Sequence, residues 1–200
     1  MKKILFAALL LLSLMACVTS PAWAGGLDDA KACSEAQRRG DYDDAIRLCT
    51  DAIASGELGV AWQHAVYTYR GRAWHGKGDY DKAIADFTKS IELYAGIVDP
   101  YYYRGLAWGN KRDFDKAIAD FTKTIELDPQ NAQAYYFRGL AWGTKSDYDK
   151  AIADFTKAIE IDPKYAKAYR SRGLAWDKKG YNDKANADYE KARAIDPSIR

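Results

Sequence analysis

Apolar and small residues recur along most of the chain at the spacing of one face of a helix, in pairs of short segments. In the clearest copy, Tyr135, Gly139 and Trp142 are four and three residues apart. The same spacing recurs further along, at Ala151, Phe155 and Ala158. Because residues three and four apart share one face of an α-helix, each segment is predicted to be an amphipathic helix. Gly139 and Ala151 are small, so we expect the two helices to approach most closely there, with Trp142 and Phe155 filling the space on either side.

The helix pair is repeated at a fixed interval. The dipeptide Arg-Gly recurs at a spacing of 34 residues, with its glycine at Gly71, Gly105, Gly139 and Gly173. A period of this size indicates stacked repeats, each burying its apolar face against its neighbours. The sequence therefore predicts an all-α protein, an α-α superhelix (solenoid) of about five antiparallel helix-pair repeats.

The predicted repeats cover nearly all of the chain after a leader. A divergent first repeat with an inserted linker occupies 27–60, where four extra residues fall around 55–59. The regular repeats occupy 64–97, 98–131, 132–165 and 166–200. The second, third and fourth of these regular repeats end in Asp-Pro, at Pro129, Pro163 and Pro197. Proline is expected there because it cannot continue a preceding helix.

The array resembles the tetratricopeptide repeat family in its order of aromatic, Gly, aromatic, Ala, aromatic, Ala and Pro, over about residues 27–200. The resemblance implies a right-handed superhelix whose first helices line a concave groove that receives peptides or helices. Cys33 stands where the other units have Gly. The chain also reaches Arg200 without the solvating helix common in the family. We therefore expect the last face, including Tyr189 and Ile195, to be exposed or paired with another molecule, and a homodimer through it is possible.

The groove positions follow from the helical register of the first helices. If Tyr101, Gly105 and Trp108 face the second helix, their neighbours on the other face point into the groove. The predicted partner-binding residues are Thr68, Arg72, Tyr102, Leu106, Asn110, Tyr136, Leu140, Thr144, Arg170, Leu174 and Asp177. The alternative is that the tyrosines and leucines pack between successive first helices. These positions offer mostly Tyr and Leu, which argues against the terminal carboxylate that some members of the family clamp.

The first 24 residues have the three parts of a secretory signal peptide. Lys2 and Lys3 precede an apolar stretch of about 13 residues, too short to span a bilayer. Ser20 to Ala24 has the A-x-A form of a cleavage site, so we predict cleavage after Ala24 and a periplasmic or secreted protein. The alternative is lipidation at Cys17, because Leu14 to Cys17 resembles a bacterial lipoprotein box. That alternative describes a lipid-anchored assembly factor of the cell envelope.

Charge argues against a nucleic-acid or membrane-surface partner. The chain has 30 basic and 28 acidic side chains. Loss of Lys2 and Lys3 with the leader would leave 28 of each, so the mature chain would be neutral. A general attraction to nucleic acid or anionic lipid is not expected. The expected partner is a protein or peptide.

Each regular unit repeats one Arg and one Asp sixteen residues apart. The arginines are Arg70, Arg104, Arg138 and Arg172, and the aspartates are Asp86, Asp120, Asp154 and Asp188. One of each per helix pair predicts a structural ion pair. A row of anion-binding arginines is the alternative.

Cys33 and Cys49 are the cysteines that follow the leader. By the repeat register they occupy the positions of Gly71 and Phe87, which face each other across one helix pair. Export to an oxidising compartment favours a disulfide between them. Two free buried thiols are the alternative, and a redox role is not favoured because there is no Cys-x-x-Cys.

No constellation of residues points to an enzyme. His64 and His75 lie in the most divergent regular unit with no recurring acid, base or metal-ligand cluster around them. We interpret them as surface histidines. We expect no catalysis, no cofactor and no metal.

Overall fold

A computed structural model describes residues 22–199, and all of the regular structure within that range is helical. Its ten helices are α1 (Ala22–Arg39), α2 (Tyr42–Ala54), α3 (Val60–Gly76), α4 (Tyr80–Leu93), α5 (Val98–Asn110), α6 (Phe114–Leu127), α7 (Ala132–Thr144), α8 (Tyr148–Ile161), α9 (Ala166–Lys178) and α10 (Asn182–Ile195). The predicted all-α solenoid is confirmed. The predicted signal peptide lies outside the described residues, apart from the three positions that begin α1.

The turns inside the repeats share one local design. The residue before the N-cap of each second helix has a left-handed backbone conformation, with positive φ; these residues are Gly40, Gly78, Arg112, Ser146 and Gly180. In the first four repeats an aspartate then caps the second helix, and its carboxylate accepts a hydrogen bond from the backbone N–H three residues on; these are Asp41, Asp79, Asp113 and Asp147. Such caps satisfy a free N–H at the helix start. Tyr181 takes the cap position in the last repeat and makes no such bond.

The curvature of the array follows from which helices touch. Each helix packs against the next one in the chain, and successive first helices (α1, α3, α5, α7 and α9) also contact one another. Among residues 22–199, successive second helices make no such contacts. The layer whose members lie closer together forms the inside of the curve, so the first helices line the concave face.

The closest approach within each repeat differs in part from the expectation. A Cβ added at Gly139 would lie 2.8 Å from Cε1 of Phe155, whereas one added at Gly143 would lie 3.8 Å from Ala151. The glycine therefore makes room for the phenylalanine ring itself, and it is not paired with Ala151. The same contact joins Gly71 to Phe87 and Gly105 to Phe121, and in the last repeat Gly173 to Tyr189.

The predicted structural ion pairs are confirmed in all four regular repeats. Arg104 donates from Nε and Nη2 to the two carboxylate oxygens of Asp120, both at 2.8 Å. Its Nη1 also donates to the hydroxyl of Thr88 on α4, in the preceding repeat, at 3.0 Å. Each arginine thus joins its own helix pair to the one before it. The guanidinium groups are committed to these contacts, which argues against a row of anion-binding arginines.

The first repeat has neither the glycine–aromatic contact nor the Arg–Asp ion pair, and a disulfide stands in their place. Ala32 and Leu48 stand where later repeats have the Arg and the Asp. A disulfide joins Cys33 to Cys49, whose Cα atoms are 5.2 Å apart and whose side chains are fully buried. That separation lies inside the usual range for a disulfide.

The last helix corrects one expectation about the exposed end. Tyr189 is half-buried because its ring packs on Gly173 on the inner side of α10. On the outer side, Asn186 and Arg193 are exposed at the positions where α8 buries Ile152 and Ile159. The outer side of α10 is therefore polar at the positions that α8 fills with isoleucine. Within residues 22–199 no helix has the length and apolar character needed to cross a membrane.

Candidate protein-binding groove

An apolar cavity of about 400 Å³ opens on the concave face between α5, α6 and α7. Leu106, Phe121, Phe137 and Leu140 form much of its wall. It also brings together four of the predicted partner-binding residues, Leu106, Asn110, Leu140 and Thr144. A cavity of this size holds one or two large apolar side chains. The leucines therefore line the groove, as the first of the two sequence interpretations proposed.

The rim of this cavity is polar but carries no charged side chain among its lining residues. The Nδ2 atom of Asn110 lies 3.0 Å from Nε2 of His75, and Thr144 donates to the carbonyl of Leu140 at 2.9 Å. Burial lowers the pKa of His75, which favours the neutral ring. His75 is therefore not the plain surface histidine expected from the sequence. Neutral polar atoms at an apolar opening suit the backbone of a bound segment.

A second cavity of about 280 Å³ continues the groove toward the C-terminal end. Leu140 and Thr144 line it together with Leu174, Tyr148 and Phe155. Leu174 is 43% exposed, which is unusual for a large aliphatic side chain in this array. The two cavities form an apolar path along α5, α7 and α9.

The predicted groove tyrosines serve both of the roles considered from the sequence. The ring of Tyr102 makes edge contacts with Phe121 and Phe137, and the ring of Tyr136 contacts Phe155 at 5.9 Å. These rings pack between helices. The Tyr102 hydroxyl donates to Oε1 of Gln133 at 3.0 Å, and burial raises the pKa of Tyr102 to about 12. Both tyrosines also line a third cavity of about 530 Å³.

The two earliest predicted residues do not line the cavities described above. Thr68 is only 6% exposed, its hydroxyl lies 2.8 Å from that of Ser90, and both donate to the carbonyl of His64. The next two repeats carry tyrosine at this position, and the shorter threonine is buried, so Thr68 does not reach the groove surface. Arg72 instead lies over the ring of Tyr103, with 4.5 Å from Cζ to the ring centroid.

The C-terminal members of the predicted set lie at the far end of the groove. Arg170 lines a fourth cavity of about 580 Å³ together with Tyr136. Asp177 accepts a hydrogen bond of 2.5 Å from the hydroxyl of Tyr189. That carboxylate is therefore already bound to its own repeat.

Several lining residues were not in the predicted set, namely Gln133, Lys164, Tyr165 and Lys167. They lie in the third cavity, which is also lined by Ile195 and Asp196. Lys164 and Tyr165 belong to the loop that follows Asp162-Pro163, while the prediction considered only first-helix positions. Lys164 and Tyr165 could have been found by including the loops that precede the first helices, because such a loop lies at the end of the groove. Across residues 22–199, no group of three or more His, Cys, Asp or Glu side chains is placed to hold a metal ion.

Comparison with known families agrees with this geometry. A family model described as tetratricopeptide repeat matches residues 104–166 and 143–198, and a second model with the same description matches residues 64–96. The chain belongs to the tetratricopeptide repeat family. Proteins of this repeat class are scaffolds for protein–protein interaction. A comparison with curated proteins finds no match.

The tetratricopeptide repeats of this chain are similar to those in solved structures of MamA. A crystal structure of the MamA protein is 27% identical, covers 86% of this chain and 92% of that chain, and has a TM-score of 0.77. A second MamA structure is 28% identical over 82% and 94%, with a TM-score of 0.75. MamA residues 41 to the end from Desulfovibrio magneticus RS-1 is 21% identical over 88% and 97%, with a TM-score of 0.79. The last likeness shows the fold alone.

Proposed function

We propose that this protein is an exported, non-catalytic scaffold that binds a peptide segment or helix of another protein in its concave groove. The observation that carries the proposal is the apolar cavity at Leu106 and Leu140, with its uncharged rim. A few side chains in well-packed, desolvated pockets supply most of the free energy in such complexes. The groove is preformed by rigid helix pairs, so little ordering of the scaffold opposes binding.

The groove is tested by comparing three versions of the protein as bait for partners in a periplasmic fraction. Leu140 lines both apolar cavities, so Leu140→Gln places a polar amide in each. Val60 is 60% exposed, lines neither of those two cavities, and gives a matched control in Val60→Gln. The expected result is a protein retained by the native chain and by Val60→Gln and lost with Leu140→Gln. Equal retention by all three baits would contradict the proposal.

Export is the part of the proposal supported by the leader sequence. Residues 1–24 have the charge, apolar stretch and small-residue exit of a secretory signal. Expression of the full chain beside a version that lacks 1–24, followed by fractionation and N-terminal sequencing, tests it. A periplasmic product that begins at Gly25 is expected. Cytosolic recovery of both versions would contradict export.

The second candidate is a lipid-anchored assembly factor of the cell envelope, favoured by the sequence Leu14 to Cys17. Metabolic labelling with a tagged fatty acid separates it from the first candidate. Label that is lost in Cys17→Ser supports the anchor, whereas its absence from the native chain contradicts it. A homodimer through α10 has less support, because Asn186 and Arg193 give its outer face little apolar area to bury.

A further inference from the structure

A histidine lines the apolar cavity at Leu106 and Leu140. Among the described residues that form its wall, His75 is the one whose side chain titrates near neutral pH. It belongs to α3, whereas the rest of the wall comes from α5, α6 and α7. The corresponding position of the next repeat is Gly109, where an added Cβ would meet nothing within 4 Å. The space beside the imidazole is therefore left open by a missing side chain.

The hydrogen bond between His75 and Asn110 requires a neutral ring. The donor is Nδ2 of Asn110, which lies 3.0 Å from Nε2 of His75, and an amide nitrogen does not accept. Nε2 must therefore accept the bond, so the proton of the neutral imidazole is on Nδ1. Protonation of the ring would place one donor against another and break this bond.

The surroundings of His75 do not favour a positive ring. Among the described residues, the cavity wall contains no carboxylate. Carboxylates at this end of α3 and of the helices packed against it are paired with cations; these pairs are Asp43–Lys77, Asp79–Lys82, Asp81–Lys111 and Glu35–Arg38. The other charged or titratable groups here are Arg72, which lies over Tyr103, the exposed Arg39 and Arg112, and the phenols of Tyr42 and Tyr80. The Tyr80 ring lies 5.4 Å from the imidazole and is neutral near pH 7.

A segment bound in the cavity would cover the imidazole further. An apolar side chain there replaces the water that now reaches the ring through the open mouth. Removing water costs far more for an imidazolium than for a neutral imidazole. Binding of an apolar segment and protonation of His75 therefore oppose each other.

We infer that His75 makes binding in this groove sensitive to pH, so that a neutral imidazole admits an apolar partner segment and an imidazolium releases it in mildly acidic solution. This inference rests on the proposed function and adds to it the regulation of the same site. The bound complex holds fewer protons than the free protein, so affinity is full above the pKa of His75 in the free protein and falls as pH drops through it. Burial already lowers that pKa from its ordinary value of about 6.5.

The test uses a peptide with no group that titrates in this range. A random library displayed on phage is selected against the full chain at pH 8, and an enriched sequence without Asp, Glu or His is synthesised with both termini blocked. Fluorescence polarisation then measures its affinity from pH 8 to pH 5 at constant ionic strength. Affinity is expected to be constant from pH 8 to 7 and about tenfold weaker at pH 5, the factor that corresponds to one pKa unit. Circular dichroism at pH 5 checks that the protein is folded.

The second histidine of the chain provides a matched control. The sequence contains only His64 and His75. Burial also lowers the pKa of His64, but this residue lies near the start of α3 and lines none of the cavities described above. His75→Gln is expected to bind the peptide equally across the pH range, whereas His64→Gln is expected to keep the pH dependence of the native chain.

A titration of the native protein followed by NMR gives a measurement that needs no variant. The ring signals of the two histidines report their pKa values separately, with and without the peptide. The pKa of His75 is expected to fall when the peptide is added, and the pKa of His64 is expected to stay the same. A structural role of His75 alone would leave both values unchanged.

The outcomes separate the inference from the function on which it rests. Constant affinity of the native chain down to pH 5, with binding lost in Leu140→Gln, would overturn the inference and leave groove binding intact. A pH dependence that persists in His75→Gln, or a pKa of His75 that does not fall in the complex, would also overturn the inference. Failure to enrich any peptide, or equal binding by Leu140→Gln, would overturn the proposed groove function itself.

Discussion

Arg138 donates two hydrogen bonds to Asp154, from Nε at 2.8 Å and from Nη2 at 2.7 Å, and so joins α7 to α8. Its Nη1 donates to the hydroxyl of Thr122 on α6, in the preceding repeat, at 3.0 Å. One side chain therefore connects three helices of two successive repeats. Stability in a repeat array depends on such contacts between nearest neighbours.

Removing Arg138 alone is expected to be far more damaging than removing the whole pair. The Asp154 side chain is only 9% exposed, so Arg138→Met leaves a charge with no partner and should lower the free energy of unfolding by about 3 kcal/mol. The double variant Arg138→Met, Asp154→Leu should recover most of this loss. Urea unfolding followed by circular dichroism measures both. A double variant no more stable than the single one would contradict the argument.

Two glycines one turn apart on α7 should respond in opposite directions. Gly139→Ala places a Cβ 2.8 Å from Phe155 and should cost about 1–3 kcal/mol through overpacking. Gly143→Ala meets only Ala151, at 3.8 Å, and should gain about 0.5–1 kcal/mol from helix propensity. Thermal melting of the two variants provides the comparison. Equal effects would show that the Gly139–Phe155 contact does not limit packing.

The turn of the fourth repeat carries a strained residue. Ser146 has φ of 65°, in the left-handed region, where the second repeat has Gly78 with φ of 81°. Ser146→Gly should therefore raise the free energy of unfolding by about 0.5–1 kcal/mol, after the greater freedom of glycine in the unfolded chain is allowed for. Gly78→Ala is the reverse control and should lower stability. A loss of stability in Ser146→Gly would contradict this account.

The disulfide is expected to replace packing that the first repeat lacks. It closes a loop of 16 residues, so Cys33→Ala, Cys49→Ala should cost about 3 kcal/mol in the chain-entropy model. The variant Cys33→Gly, Cys49→Phe restores the pair found at Gly71 and Phe87 and should be more stable than the alanine pair. Hydrogen exchange in α1 and α2 reports this locally. Titration of the native protein in denaturant without reductant should find neither Cys33 nor Cys49 free.

The free energy of unfolding should fall at alkaline pH because Tyr102 is buried. Burial raises the pKa of Tyr102 to about 12 in the folded protein, while the unfolded value is near 10. Between these values the unfolded chain has lost the proton and the folded chain keeps it, so stability falls as pH rises from about 10 to 12. The fall should be shallower in Tyr102→Phe, which has no phenol to ionise. Equal slopes in urea titrations across this range would contradict the assignment.

Local sequence patterns were sufficient for the architecture. Each helix pair is specified by residues close together in the chain, such as Gly139 and Phe155 or Arg138 and Asp154, so spacing alone carries the information. The period of 34 residues then repeats the same helix pair along the chain, and each repeat packs against its neighbour through the same positions. For the same reason the register of Cys33 and Cys49 could be assigned from the later repeats.

The tertiary structure decided which side chains share a cavity. The sequence placed Leu106 and Leu140 on the groove face, but it gave no volume and could not join them to His75. The helical register also assigned Thr68 to the groove face, although its short side chain is buried and its hydroxyl contacts that of Ser90. Lys164 and Lys167 line one cavity with Tyr102, although they come from different repeats. Their positions relative to Tyr102 depend on the rotation between successive repeats, which no local pattern of the sequence specifies.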